Sequence, residues 1–207
     1  MLRRLVIAPH MDDESMGCGG LIAKFPDECT VVTVADSGAT RAAEHATAMA
    51  ILGCTNFLSL GFTDSHVGDD SAELVRALDE LVGDIRPDEL YLPYPSLHQD
   101  HIAVYEAGMR TARVSMSLDH WFSPSVLVYD IAVYDVNLYP SDLRWNVFES
   151  LNEEQVSKKV AACEAYQSEI PTENHPIRSI RQLAAGIGNV RMMPYAEQFA
   201  LVRQVRL

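Results

Sequence analysis

Two short segments of the sequence carry histidine and carboxylate side chains that could act together on a substrate. The first, APHMDDE, covers residues 8–14, and the second, HQDH, covers residues 98–101. Imidazole and carboxylate groups together bind zinc and other first-row divalent cations, and such sites can leave one coordination position for water. Each segment alone has a simpler explanation, because acids favour the start of a helix and short histidine motifs occur by chance. The prediction of a metal site therefore depends on the two segments meeting in space.

The elements around these segments predict that they do meet. The stretches RRLVIAP (3–9) and DELYLPY (88–94) are typical of buried strands, and each is followed closely by one of the two segments. Two more strand patterns, CTVVTVA and TNFLSL, alternate with helical patterns, which indicates β-α-β crossovers and a parallel sheet. Because ligands bind at the carboxyl ends of parallel strands, we expect both segments at the same edge of the sheet.

We predict a Rossmann-like, doubly wound α/β fold with a mostly parallel sheet, helices on both faces and extra strands in the C-terminal third. The helical patterns are GGLIAKF, TRAAEHATAMAILGC, SAELVRALDELVGDI and NEEQVSKKVAACEAY. Ser71 and Asn152 are expected to cap the last two. PSVLVYDIAVYDVNLY (124–139) predicts one or two strands, and YAEQFALVRQV (195–205) predicts a strand or a short helix. Since no repeat or linker interrupts the chain, we expect residues 1–207 to form a single domain.

Composition narrows the classes of partner. The formal net charge of -13 opposes binding to a nucleic-acid backbone or an anionic membrane surface, because both are negatively charged. No apolar stretch approaches the roughly 18 residues needed to span a bilayer. The four cysteines form no C-x-x-C pair, so they are interpreted as free thiols in a reducing compartment. We therefore expect a cytoplasmic protein.

The same residues carry a family resemblance. APHMDDE resembles the A-x-H-P-D-D-E signature, and HQDH the H-P-D-H signature, of the LmbE/PIG-L family of zinc-dependent N-acetylglucosaminyl deacetylases. Five weaker matches follow in family order, so that the resemblance covers nearly the whole chain: GCGG, RAAEHATAMAILG, GFTDS, KKVAACEAYQS and YAEQF. Met11 and Gln99 replace the usual prolines, which loosens the backbone without removing a ligand. Glu169 stands where the family often has glutamine, and this departure bears on substrate choice.

The resemblance implies one metal ion held by three residues. His10, Asp13 and His101 match the family's ligand positions, and a water would complete the shell. The resemblance implies zinc, while nitrogen and oxygen ligands also accept ferrous iron.

The resemblance also implies catalytic roles. Asp12 would be the general base on the water, because a carboxylate beside a cation can accept its proton. His98 would stabilise the oxyanion or protonate the leaving amine. Asp100 would orient or tune a neighbouring imidazole, as outer carboxylates do in metal sites. Glu14 is interpreted as a structural acid at the start of the first helix, with a catalytic role as the less favoured alternative.

Two further residues match positions that resemble sugar-contacting residues of the family. Arg41 and Asp64 offer a guanidinium and a carboxylate, which suit the recognition of hydroxyl groups. The alternative is structural: Arg41 could pair with Glu44 on one helix face, and Asp64 could belong to a turn. Among the other histidines, His66 lies near Asp64, and the rest are expected to be surface or packing residues.

The resulting hypothesis is a metal-dependent hydrolase that removes the acetyl group from an N-acetylglucosamine unit of a small glycoconjugate. Its alternatives are a degenerate sugar-binding α/β domain and an amidase acting on a related sugar-linked amide. The sequence leaves open the group attached to the sugar, the physiological metal and the oligomeric state, and it is compatible with a homo-oligomer.

Two other classes of α/β protein fit the sequence less well. A dinucleotide-dependent oxidoreductase would need a third glycine where Ile22 stands, and the acids before it would repel a pyrophosphate. A phosphate-accepting receiver domain would need an aspartate at the end of the third strand. That strand ends instead in Ser59, Leu60 and Gly61.

Overall fold

The computed structural model describes residues 1–117, 119–131, 141–169 and 179–206. Its strands are β1 (Arg4–Ala8), β2 (Cys29–Asp36), β3 (Phe57–Thr63), β4 (Glu89–Pro93), β5 (Ser125–Tyr129), β6 (Val147–Leu151) and β7 (Tyr195–Gln204). Its helices are α1 (Asp13–Lys24), α2 (Gly38–Leu52), α3 (Ser71–Ile85), α4 (Gln99–Thr111), α5 (Glu153–Glu164) and α6 (Ile180–Asn189). Within these ranges, each helix is too short or too polar to cross a membrane.

The strands form one seven-stranded sheet in the order β3-β2-β1-β4-β5-β7-β6. The first five strands of the chain are parallel to one another, and β7 is antiparallel to both β5 and β6. This arrangement confirms the doubly wound, mostly parallel fold with extra strands in the C-terminal third. The segment 195–205, left open between strand and helix, is β7. The prediction for 124–139 is met by β5, and residues 132–140 lie outside the described ranges.

Both faces of the sheet are covered by helices. Val6 of β1 belongs to the apolar cluster that includes residues of α1, α2 and α5. Leu5 and Ile7 point the other way and join the cluster with Leu74 and Leu78 of α3. Alternate residues of one buried strand therefore face opposite layers, as the period of a strand requires.

Helix starts show where local patterns succeed and fail. Asn152 caps α5 with a full capping box, since its side chain accepts from Gln155 N and the Gln155 side chain accepts from Asn152 N. The assignment of Ser71 as the cap of α3 was wrong. Asp70 is the cap, and its carboxylate accepts from Glu73 N at 3.0 Å. An aspartate one residue upstream provides the charged acceptor that the free N–H groups of the first turn favour.

Helix α1 begins at Asp13, six residues before the pattern GGLIAKF predicts. Asp13 and Glu14 occupy its first turn, where carboxylates are stabilised by the positive end of the helix dipole. The acids of the first segment are therefore partly helical, and the helix carries them to the edge of the sheet.

Gly17 sets how closely α1 approaches β5, since a β-carbon there would overlap the ring of Tyr129. We expect Gly17→Ala to lower the free energy of unfolding by about 1–3 kcal/mol through overpacking. Gly83→Ala in α3 is the matched control, because a β-carbon added there would meet no described atom outside its own stretch of helix within 4 Å. Helix propensity predicts a gain of up to about 1 kcal/mol for that control. Denaturant titration compares the two, and equal stabilities would contradict the close approach.

Candidate active site

The fold brings the two chemistry-bearing segments together. One follows β1 and leads into α1, and the other follows β4 and leads into α4. Strands β1 and β4 are parallel neighbours, so both segments emerge at the same edge. The ring centroid of His10 lies 4.9 Å from that of His98 and 5.3 Å from that of His101.

Asp13 lies between two imidazoles. Its Oδ2 atom is 3.4 Å from His10 Nδ1 and 3.3 Å from His101 Nε2. Burial lowers the pKa of His10, but Asp13, Asp100 and Asp64 raise it to about 9. Burial would raise the pKa of Asp13, but the charges and hydrogen bonds of His101 and His10 hold it well below its usual range. The pair His10 and Asp13 is therefore held together by charge.

Asp100 orients His10 from the side opposite Asp13. Its Oδ2 atom is 3.1 Å from His10 Nε2, which leaves Nδ1 of that ring facing Asp13. The Asp100 carboxylate is fully buried and accepts from Ser65 N at 2.8 Å and Val67 N at 3.3 Å. Backbone N–H donors from the loop after β3 thus hold the Asp100 carboxylate in place, and this carboxylate in turn orients the His10 ring.

Ser96 is a residue that sequence reasoning missed. Its Oγ atom lies 3.0 Å from His101 Nδ1 and accepts from His98 N at 3.3 Å. This buried hydroxyl orients the ring of His101 so that Nε2 faces Asp13. Its signal in the sequence is weak, because a serine two residues before the motif is typical of any loop.

His98 is the N-cap of α4, and its Nδ1 accepts from Asp100 N at 3.2 Å. An imidazole that accepts at Nδ1 carries its proton at Nε2 when neutral. Burial lowers the pKa of His98, and repulsion from His10 and His101 lowers it further. His98 therefore presents a neutral N–H donor to the site at neutral pH.

Asp12 occupies the N-cap position of α1, with 13% of its side chain exposed. Burial and repulsion from Asp13 and Glu14 raise the pKa of Asp12 well above its usual range, although Arg41 offsets part of the effect. Arg41 Nη1 lies 3.2 Å from Asp12 Oδ2. A carboxylate with a raised pKa is a stronger proton acceptor than an exposed one.

An open cavity of about 270 Å³ connects these groups, and it is lined by His10, Asp12, Asp13, Ser37, Arg41, Asp64, His98 and Glu169. Six of the eight residues predicted from the sequence line it. The other two, Asp100 and His101, are buried behind the wall and orient or flank His10. Ser37 and Glu169 are additional lining residues, and the glutamate at 169 marks the departure noted in the sequence.

Arg41 and Asp64 lie at this cavity, each with structural partners. Asp64 is exposed, and its Oδ1 atom is 3.7 Å from His10 Nε2. Arg41 is buried, lies 3.5 Å from Glu44 and forms an ion pair with Glu169. Both the sugar-contacting and the structural interpretation of Arg41 therefore agree with its position.

Two triads among the described residues have potential ligand atoms within 4.8 Å of one another. They are His10, His98 and His101, and His10, Asp64 and Asp100. His66 does not join either group, because it pairs with Asp69 at 3.0 Å on the surface. All four cysteines are buried and free, and none lines the cavity. His175 lies outside the described residues.

The fold and the site define the chain as an α/β protein with a histidine and carboxylate cluster at the carboxyl edge of its sheet. The family model described as PIG-L, GlcNAc-PI de-N-acetylase, matches residues 5–112, which is just over half of the chain. The chain belongs to this family of deacetylases. The matched region contains both predicted segments, and the match argues against the oxidoreductase and receiver classes.

Similarity to individual proteins extends over most of the chain. An uncharacterized deacetylase of Escherichia coli K12, YaiS, is 28% identical over 179 residues, covering 79% of this chain and 90% of YaiS. The N,N'-diacetylchitobiose deacetylase of Pyrococcus horikoshii superposes with a TM-score of 0.77 at 19% identity, covering 97% of this chain and 83% of that one. GalB, a 4-carboxy-2-hydroxymuconate hydratase of Pseudomonas putida KT2440, superposes with a TM-score of 0.74 at 17% identity, covering 100% and 98%. The two structures show a shared fold that accommodates different reactions.

Proposed function

We propose that this protein is a metal-dependent N-deacetylase that releases acetate from an N-acetylglucosamine-type unit of a small glycoconjugate. The observation that carries the proposal is the juxtaposition of Asp12, a carboxylate with a raised pKa, with the ligand-like group of His10, Asp13 and His101. Family membership supports the class of reaction. The sugar is supported by the names of the family and of the chitobiose deacetylase.

The proposed ligand set is His10 Nδ1, one Asp13 oxygen and His101 Nε2. Tetrahedral zinc with bonds of about 2.0 Å separates its ligand atoms by roughly 3.3 Å. The distances of 3.4 Å and 3.3 Å from Asp13 to the two ring nitrogens agree with this spacing for two of the three ligand pairs. The family resemblance makes zinc the proposed metal, with ferrous iron as the alternative that the same donor types accept. When bound, the cation lowers the pKa of water and polarises a carbonyl.

Asp12 would carry the proton through the reaction. Its carboxylate would take a proton from the attacking water and deliver it to the nitrogen of the leaving amine. One water is consumed, the C–N bond breaks, and the products are acetate and a free amine. The ion pair with Arg41 holds the carboxylate at the cavity wall between these steps.

His98 would stabilise the negative charge that develops on the amide oxygen. Its Nε2 proton is available because Nδ1 is occupied by the Asp100 backbone N–H. A neutral donor with a lowered pKa suits this role better than it suits protonation of the leaving amine. Asp64 and Arg41, which line the cavity, are the proposed contacts to sugar hydroxyls.

The test is acetate release from N-acetylglucosaminides whose attached groups are neutral, cationic or anionic, at saturating zinc. Metal-dependent release that disappears on chelation supports the proposal. Binding of these sugars without acetate release would favour the degenerate sugar-binding domain. Hydrolysis of larger acyl groups but not acetyl would favour the amidase.

We also propose that the protein is a single domain in the cytoplasm that acts on a small molecule. The continuous sheet from β1 to β7 supports one domain over residues 1–207. Buried free thiols support a reducing, cytoplasmic location. The formal charge of -13 favours a small-molecule substrate over a nucleic acid, and a homo-oligomer remains open to measurement by light scattering.

A further inference from the structure

The backbone at Asp12 is in an unusual conformation. Its φ angle is 148°, in a region that non-glycine residues rarely adopt. Such a conformation persists only where the surrounding structure over-determines it. The flanking residues His10 and Asp13 are joined to each other, since His10 N donates to Asp13 Oδ2 at 3.0 Å. The Met11–Asp12 peptide between them is therefore the part of the loop whose orientation aims the Asp12 side chain.

Both ends of that peptide are bound by buried charged side chains. Arg41 Nη1 donates to the carbonyl oxygen of Met11 at 2.9 Å. The N–H of Asp12 donates to Glu14 Oε2 at 3.1 Å. Arg41 is 8% exposed and Glu14 is fully buried, so water competes little with either contact. A cation on the carbonyl and an anion on the N–H match the polarity of the peptide.

Tyr166 contacts both of the charged side chains that bind this peptide, Glu14 and Arg41. Its hydroxyl donates to Glu14 Oε1 at 2.6 Å, and its ring lies beneath the Arg41 guanidinium, with the Cζ atom 5.6 Å from the ring centroid. His45 Nδ1 lies 2.9 Å from the same hydroxyl, and Ser15 Oγ donates to Glu14 Oε1 at 2.7 Å. Glu14 thus receives two hydroxyl donors on one oxygen and the Asp12 N–H on the other.

We propose that Glu14, Tyr166 and Arg41 form a clamp on the Met11–Asp12 peptide that positions the general base. The inference rests on the proposed function and deepens it, because it assigns positioning roles to Glu14 and Tyr166 and a second role to Arg41. The clamp sets the orientation of the Asp12 side chain and does not involve the metal ligands. Its removal therefore lowers turnover without releasing metal.

The central variant is Glu14→Gln. The Asp12 N–H and the Tyr166 hydroxyl donate to different oxygens of Glu14, and a carboxamide replaces one of these acceptors with an NH2 donor. We expect kcat for acetate release to fall about 10- to 100-fold, the cost of misplacing a reacting group by roughly 1 Å. KM and the zinc content are expected to stay close to wild type. In an Asp12→Ala background the same change is expected to have no further effect on the residual rate, because it acts through Asp12.

Glu197→Gln is the matched control. Glu197 is also buried and accepts backbone N–H groups of α1, those of Gly20 and Leu21, at 2.7 Å and 2.8 Å. Glu197 lies on β7, so the control changes the same chemical group where it contacts a different part of α1, away from Asp12. We expect it to lower thermal stability and leave kcat unchanged. Should Glu14→Gln fail to fold, Tyr166→Phe removes one hydroxyl from the clamp, keeps the ring under Arg41, and serves in the same cycle with a smaller loss.

Hydrogen exchange of the Asp12 amide gives a readout that does not require turnover. In the wild type this N–H donates to Glu14 and is expected to be protected. In Glu14→Gln we expect its protection to fall while amides within α3 keep theirs. Loss of protection in a protein that releases no acetate would preserve the clamp and overturn the proposed function. Unchanged kcat and unchanged protection in folded Glu14→Gln, or an equal loss of rate in the Asp12→Ala background, would overturn the clamp.

Discussion

Asp12→Ala is expected to keep its metal and to lose turnover by about 10²- to 10⁴-fold, the range typical for removal of a general base. The carboxylate lies at the cavity wall beside the proposed ligands but is not one of them, so its loss leaves His10, Asp13 and His101 in place. Acetate release at saturating zinc, with metal content by elemental analysis, measures both effects on one sample.

Asp12→Asn separates charge from shape in the same experiment. Asparagine adopts positive φ more readily than most residues and keeps the size of the side chain. Because the Asp12 charge is crowded by Asp13 and Glu14, its removal is expected to leave thermal stability equal to or above that of wild type. Asp69→Ala is the control, since Asp69 is an exposed acid that pairs with His66 and does not line the cavity. Near wild-type acetate release by both Asp12 variants would remove Asp12 from the mechanism.

The double variant His10→Ala/His101→Ala is expected to lose the metal and all metal-dependent turnover. Even loss of an outer partner of a metal ligand costs about 10- to 100-fold in affinity, so loss of two ligands should exceed that range. Dialysis against trace zinc followed by elemental analysis should give one metal per wild-type chain and none per variant chain. A variant that still holds one metal per chain would show that the ligand set is misassigned.

His98→Ala distinguishes the proposed ligand set from the three-histidine group. The nitrogens of His10, His98 and His101 lie within 4.8 Å of one another, so geometry alone allows His98 as a ligand. Its Nδ1 is occupied by the Asp100 N–H, and its Nε2 is assigned to the amide oxygen of the substrate. We therefore expect His98→Ala to retain zinc and lose kcat. Release of zinc by this variant would favour the three-histidine set.

Local patterns predicted the strands well and some helices poorly. Buried strands such as β1 and β4 are continuous apolar runs, which are legible from the sequence. Helix α4 was not predicted, because its buried face includes Asp100 and His101 in place of apolar residues. Because these site residues are polar, the apolar periodicity that would predict α4 is missing from its sequence. Strand β6 was also missed, since four of its five residues are only partly buried or exposed and give no apolar run.

The sequence by itself determined which side chains reach the carboxyl edge of the sheet. Strand and helix periodicities are local, and the alternation of strands with helices predicts a parallel sheet. The segments of His10 and His98, each of which follows a strand, could therefore be placed at the same edge from the sequence. Only the tertiary structure decided which contacts position the side chains of the site. Tyr166 contacts Glu14 across 152 residues of chain, and Arg41 reaches the Met11 carbonyl across 30. Such contacts depend on how α2 and the end of α5 pack over α1, and the energies of that packing are shared among many residues, so no short stretch of sequence encodes them.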